Sequence, residues 1–110
     1  MYEYKIKEVV RVVDGDTVDV LIDLGFNIMT KKRIRLADID APETRTRDKE
    51  EKKRGFISKD KLSHLLYNEP ELTLISKKIG KYGRIIGEIF DSNNKSLNRA
   101  MVDGGFATKI

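Results

Sequence analysis

Val18, Val20, Ile22 and Leu24 alternate with Asp19, Leu21 and Asp23 between two turn signals, and this short pattern constrains the fold more than any other feature of the chain. Period-two alternation puts an apolar edge and a polar edge on opposite faces of a strand, so the segment must pair with neighbours over a core. Asp14-Gly15 ahead of it and Leu24-Gly25-Phe26-Asn27 behind it supply turns that fold the chain back on both sides. Lys5 to Val13, rich in valine and isoleucine, reads as the preceding strand. Ile28 to Ala37 reads as the following one, with Ile34 and Leu36 on one face and Arg33 and Arg35 on the other.

Pro42 interrupts regular structure, and Arg45 to Arg54 holds six basic and three acidic residues, which reads as a mobile surface loop. A helix is expected from about Arg54 to Tyr67. Leu62, Leu65 and Leu66 fall at i, i+3 and i+4, and Phe56 and Ile57 extend the apolar side. Glu71 to Ser76 and Arg84 to Phe90 read as strands four and five, joined by a polar Lys77 to Gly83 loop. A short helix from Ser96 to Val102 follows, ended by Gly104-Gly105. The order β-β-β-α-β-β-α predicts a mainly β fold with α: a five-stranded Greek-key barrel of the OB type, with one helix between strands three and four and a short C-terminal helix.

Composition bounds the function. A chain of 110 residues, 39% hydrophobic and 36% charged, is expected to form a single domain over residues 1–110 with a modest core. The net charge of +4 favours polyanions weakly, but Lys31, Lys32, Arg33 and Arg35 form one basic stretch and Lys77, Lys78, Lys81 and Arg84 another. Cysteine is absent, which excludes disulfides and thiolate metal sites. Met1 to Lys5 has no apolar core of a secretory signal, and no run approaches the ~20 apolar residues of a membrane span. A cytoplasmic protein with no membrane partner is expected, a processed secreted form staying open.

Three short motifs carry chemistry. Val13-Asp14-Gly15-Asp16-Thr17-Val18 puts a carboxylate at a strand turn; Arg33 to Thr44 ends the third strand with Arg35, Asp38, Asp40 and Glu43; and Lys81-Tyr82-Gly83-Arg84 opens the fifth strand. Singly, each is ordinary turn or loop chemistry. Together they match phosphodiester cleavage, which needs neutralised phosphate charge, an activated water, and aligned attacking and leaving oxygens. Arg35 and Arg84 offer two guanidinium forks for phosphate oxygens. Asp16 and Asp40 are hard oxygen ligands suited to calcium or magnesium, and Glu43 lies near enough in sequence to hold or deprotonate a water.

These motifs, in this order from about Val9 to Ala107, resemble the staphylococcal nuclease family. The resemblance implies one calcium ion held by Asp16, Asp40 and the backbone carbonyl of Ala41, where the family usually has threonine. It implies that Arg35 and Arg84 clamp the scissile phosphate, that Glu43 acts as general base, and that Lys81 and Tyr82 contact the rest of the nucleotide. The implied activity is calcium-dependent hydrolysis of DNA and RNA, single-stranded or frayed by preference, leaving 3′-phosphates. Two departures stand out. The Asp16–Arg35 segment is longer than in the best-known member, which suggests an extended hairpin near the site. The family's tyrosine-bearing loop and third helix lie beyond Ile110, so weaker nucleotide binding and self-association through the surface that helix would cover are expected.

A binding module of the Tudor-nuclease type, similar in fold but without catalysis, is the alternative; there, residues matching these positions are typically replaced, whereas Asp16, Arg35, Asp40, Glu43 and Arg84 are all intact here. Asp14 and Asp38 read as turn-forming or supporting residues. His64, about 200° round the helix from Leu62, is expected to face solvent without a catalytic part.

Overall fold

The computed structural model describes residues 2–110. Its strands are β1 (Tyr2–Asp14), β2 (Thr17–Asp23), β3 (Met29–Leu36), β4 (Ile39–Asp40), β5 (Leu72–Ile79), β6 (Ile85–Phe90) and β7 (Thr108–Lys109), with helices α1 (Lys49–Tyr67) and α2 (Leu97–Asp103). Five strands close a barrel in the order β1-β2-β3-β6-β5, and β1 completes the circle by pairing with β5. All neighbours are antiparallel except β3 and β6. The architecture is the expected OB-type barrel, mainly β with two helices.

Closure depends on β1. Its first residues, Tyr2 to Ile6, pair with β5, while Lys5 to Asp14 pair with β2. Three register shifts along the β1–β2 ladder, at Ile6/Glu8, Val9/Arg11 and Val12/Asp14, bend the strand so that it can serve both neighbours. Inside lie Val18, Val20 and Ile22 of β2, Ile34 and Leu36 of β3, Leu72 and Leu74 of β5, and Ile89 of β6. Leu62 and Leu66 of α1 and Leu97 and Met101 of α2 close the core. Burying such a side chain contributes roughly 1.5–3 kcal/mol, so this one cluster dominates stability.

On the outer face Asp19 accepts two hydrogen bonds from Arg33, at 2.8 and 3.1 Å, across the β2–β3 ladder. That hydrogen-bonded guanidinium, and its charge, hold the Asp19 carboxyl below its usual range against the opposing effect of burial. The second basic stretch is also partly neutralised, because Lys77 approaches Asp38 at 3.4 Å and Glu88 at 3.6 Å.

Four expectations need correction. The helix begins at Lys49, inside the segment read as a mobile loop, because Asp48 caps it by accepting from the backbone N–H groups of Glu50 and Glu51. Its buried face runs through Gly55, Ser58, Leu62 and Leu66. Phe56 and Ile57 are therefore 45% and 49% exposed instead of extending the apolar side. Lys77, Lys78 and Ile79 belong to β5, not to the following loop. Finally, the hairpin tip at Leu24 to Ile28 is remote from the Asp16 turn. The ladder runs from Thr17–Arg35 to Asp23–Met29, about 20 Å of strand away.

Candidate active site

The Gly15-Asp16 turn between β1 and β2, the end of β3 and the β4 segment converge at one end of the barrel. Asp16 is only 6% exposed, and burying a carboxylate is tolerable only where donors meet it. Three do. Thr17 Oγ1 donates to Asp16 Oδ1 at 2.9 Å, the Ala41 backbone N–H donates to Oδ2 at 2.8 Å, and Arg35 Nη2 lies 3.4 Å from Oδ2. The main chain adds a further link, since Leu36 N–H donates to the Asp16 carbonyl at 2.7 Å.

Arg35 joins these parts. It stands opposite Thr17 on the outer face of β3, and its Nη1 donates to the carbonyls of Leu36 at 2.9 Å and Ile39 at 2.8 Å. Its Nη2 lies between two carboxylates, 3.4 Å from Asp16 and 3.3 Å from the exposed Asp40. Two carbonyls on one side and two acids on the other fix the guanidinium plane. Such a fork is positioned before any substrate arrives.

Asp40 and Ala41 reach this place because Asp38 adopts a left-handed conformation (φ 64°), and β4 then pairs with β7. Beyond Pro42, Thr44 donates to Asp14 Oδ1 through its hydroxyl at 2.7 Å and its N–H at 3.3 Å. Asp14 is thus a supporting residue that fastens the loop carrying Glu43 to the β1–β2 turn. Asp38 is turn-forming and pairs with Lys77, away from the acids at Arg35.

Helix α1 supports the same loop from behind. A Cβ on Gly55 would lie 2.3 Å from the Glu43 carbonyl oxygen and 3.0 Å from the Thr44 nitrogen. A Cβ on Gly15 would lie 2.7 Å from the Ser58 Cβ and 3.0 Å from that of Ala41. At Gly55 the helix backbone meets the backbone of the Glu43 loop, and at Gly15 the turn packs on the Cβ atoms of Ser58 and Ala41.

The structure thus joins Asp16, Arg35, Asp40 and Ala41 by direct contact. Glu43 follows two residues later with its side chain exposed, and its backbone N–H donates to Glu51 at 3.3 Å. Among the described residues, no three carboxylate or histidine side chains form a ready metal cluster, so Glu43 does not complete one with Asp16 and Asp40. Arg84 precedes β6 by one residue and stands two before Ile86, the register partner of Arg35. Strand alternation places it on the Arg35 side of the sheet. Its Nε is buried without a hydrogen-bond partner, and such an orphaned donor is what an incoming anion satisfies. Lys81 and Tyr82 sit exposed on the 3-10 turn Lys81–Gly83, with Tyr82 held left-handed at φ 62°. Among the described residues, neither forms a side-chain hydrogen bond or ion pair with the four central residues. His64 is exposed, as expected, and its ring nitrogens lie within hydrogen-bond distance of Asn68.

Comparison with known proteins gives a consistent result. The staphylococcal nuclease homologue family matches residues 33–110. A micrococcal nuclease from Shigella flexneri is 32% identical over 108 residues, covering 91% of this chain and 55% of that protein. Protein ParB from Escherichia coli is 34% identical over 108 residues, covering 91% and 54%. Endonuclease YhcR from Bacillus subtilis is 30% identical over 107 residues, which are 88% of this chain and 8% of that much longer protein. The chain spans about half the length of the first two relatives. With its barrel, its ordered motifs and a family match over most of its length, the chain belongs to the staphylococcal nuclease homologue family.

Proposed function

We propose that this chain is a calcium-dependent nuclease that hydrolyses phosphodiester bonds of DNA and RNA, prefers single-stranded or frayed substrate, and leaves 3′-phosphates. The observation that carries the reading is the meeting of Asp16, Arg35, Asp40 and Ala41 at the end of the barrel. Names of relatives agree, since two of those compared are called nucleases or endonucleases.

The donor set fits a hard divalent cation. All side-chain donors are carboxylate oxygens, and two acids against one guanidinium leave net negative charge at Arg35. Asp16, Asp40 and the Ala41 carbonyl would hold calcium, which when bound supplies charge neutralisation at the phosphate and acidifies a water. The chain's own groups do the rest. Arg35 and Arg84 bind the non-bridging oxygens and meet the charge that builds as the phosphorus centre becomes five-coordinate. Glu43 accepts the proton of the attacking water; a P–O bond forms, the bond to the 5′-oxygen breaks, and that oxygen takes a proton from solvent. Lys81 and Tyr82 contact the neighbouring phosphate and the sugar or base. The non-catalytic Tudor-nuclease alternative is disfavoured because every residue this scheme needs is present.

The test is a cleavage assay on denatured DNA and on RNA with calcium, with magnesium, and with chelator. Cleavage is expected in calcium, none in chelator, and the products should carry 3′-phosphates. Undiminished cleavage in chelator would remove the cation from the mechanism, and binding without cleavage would favour the module reading.

A further inference from the structure

We infer that a basic cleft beside the Glu43 loop binds the phosphates of a single-stranded polynucleotide beyond the reacting nucleotide, an inference that rests on the nuclease reading for its substrate class. The cleft is about 550 Å³, and Thr44, the residue after Glu43, lies on its wall. Arg11 from the outer face of β1, Arg45 and Arg47 from the loop, and Lys52, Phe56 and Lys59 from α1 surround it. The three helix residues recur at i, i+4 and i+7, one stripe turned towards the loop. No acidic side chain lines the cleft.

What distinguishes it from an ordinary solvated face is a lining of five cations with no acid among the described residues. Elsewhere Arg33 pairs with Asp19, Arg35 with Asp16 and Asp40, and Lys77 with Asp38 and Glu88. Among the described residues, none of the five cleft cations forms an ion pair. Nearby acids lie outside the lining: Asp19, the register partner of Arg11, is engaged by Arg33, while Asp48 and Glu51 accept from backbone N–H groups and keep their charge. The cleft beside α2 offers a contrast, because its Lys95 and Arg99 face Glu88 and Asp103. Five like charges around one hollow repel each other, and an anion with repeated charges relieves that repulsion.

Phe56 adds a second kind of contact. It is nearly half exposed, with Lys59 Nζ 5.7 Å from its ring centre. An exposed ring among phosphate-binding cations is the arrangement on which a splayed base stacks, and stacking tolerates any sequence. The cleft is also fixed relative to the site, since Thr44 is hydrogen-bonded to Asp14 at the β1–β2 turn. A strand whose phosphate lies at Arg35 can continue past Glu43 into this hollow, so the protein engages an interior position of a long strand.

The experiment compares binding of a labelled twelve-nucleotide single strand and of a dinucleotide, in chelator where no cleavage is expected, across a salt series. The wild type is set against Arg45→Ala/Arg47→Ala and against Lys95→Ala/Arg99→Ala, which removes the same charge from the compensated cleft. The first variant should lose affinity for the twelve-mer, and its log K against log salt should flatten by about 1.4, two single-strand phosphate contacts. The control should keep the wild-type slope, and dinucleotide affinity should be the same in all three proteins. Phe56→Ala should weaken the twelve-mer without changing the slope. Equal twelve-mer affinity and slope in the Arg45→Ala/Arg47→Ala variant and the wild type would overturn the inference. Cleft-dependent binding by a protein that never cleaves would uphold the cleft and refute the nuclease reading instead.

Discussion

Arg35→Ala is expected to lower the cleavage rate about 10²–10³-fold, the usual cost of removing one preorganised donor from developing charge. The prediction follows from how the guanidinium is held. Its Nη1 is anchored on two backbone carbonyls and its Nη2 on two carboxylates, so the fork is fixed before substrate binds. Arg35→Lys should remain well below wild type too, because an ammonium neutralises charge but cannot reproduce that planar anchoring. Calcium affinity should move the other way. Removing the cation between Asp16 and Asp40 leaves two carboxylates with less compensation, so calcium should bind at least as tightly while the rate collapses. Calorimetry of calcium binding beside steady-state rates checks both. Loss of calcium binding in step with rate would mean that Arg35 maintains the metal site instead of serving the phosphate.

Gly55→Ala should destabilise the protein by about 1–3 kcal/mol and reduce cleavage, although the same change in an ordinary helix stabilises by about 1 kcal/mol. The added Cβ would lie 2.3 Å from the Glu43 carbonyl oxygen, which is backbone and cannot rotate away. Either α1 retreats from the barrel or the Glu43 loop moves. The second route displaces Glu43, the proposed general base, and a shift of 1 Å can cost about 10²-fold in rate. Thermal denaturation and cleavage rates of the same preparation measure the two effects. A more stable and fully active Gly55→Ala protein would show that the loop has slack that this packing denies.

The barrel strands were legible because their patterning is local. Val18, Val20 and Ile22 alternate cleanly, and the two flanking turns are written in glycine, aspartate and asparagine. The start of α1 was not, because six basic residues over Arg45–Arg54 resemble a solvated loop, and Asp48 as cap is one residue among many charges. Phe56 and Ile57 looked like core for the same local reason. Which helix face turns inward was decided by Gly55 and Ser58, small residues whose value lies in what they let approach. The β4–β7 pair is illegible in the sequence, since two-residue strands leave no pattern.

For the site, residue identity was readable and relationship was not. Asp16, Arg35 and Asp40 stood out by type and spacing, yet only the fold shows one guanidinium joining both acids. The basic stretches seen in the sequence are partly neutralised in space, Arg33 by Asp19 and Lys77 by Asp38 and Glu88. The acid-free basic lining is assembled instead from Arg45, Arg47 and Lys52 of the segment read as a mobile loop, with Arg11 and Lys59. Charge along a chain says little about charge on a surface until the partners are known.

The most direct measurement is a two-step titration of isotopically labelled protein, first with calcium and then with a dinucleotide, followed by backbone amide shifts. The account predicts that calcium moves Asp16, Asp40 and Ala41, and that the dinucleotide then moves Arg35, Glu43, Lys81, Tyr82 and Arg84. Shifts confined to another face of the barrel, or calcium shifts that leave Asp16 and Ala41 untouched, would contradict it.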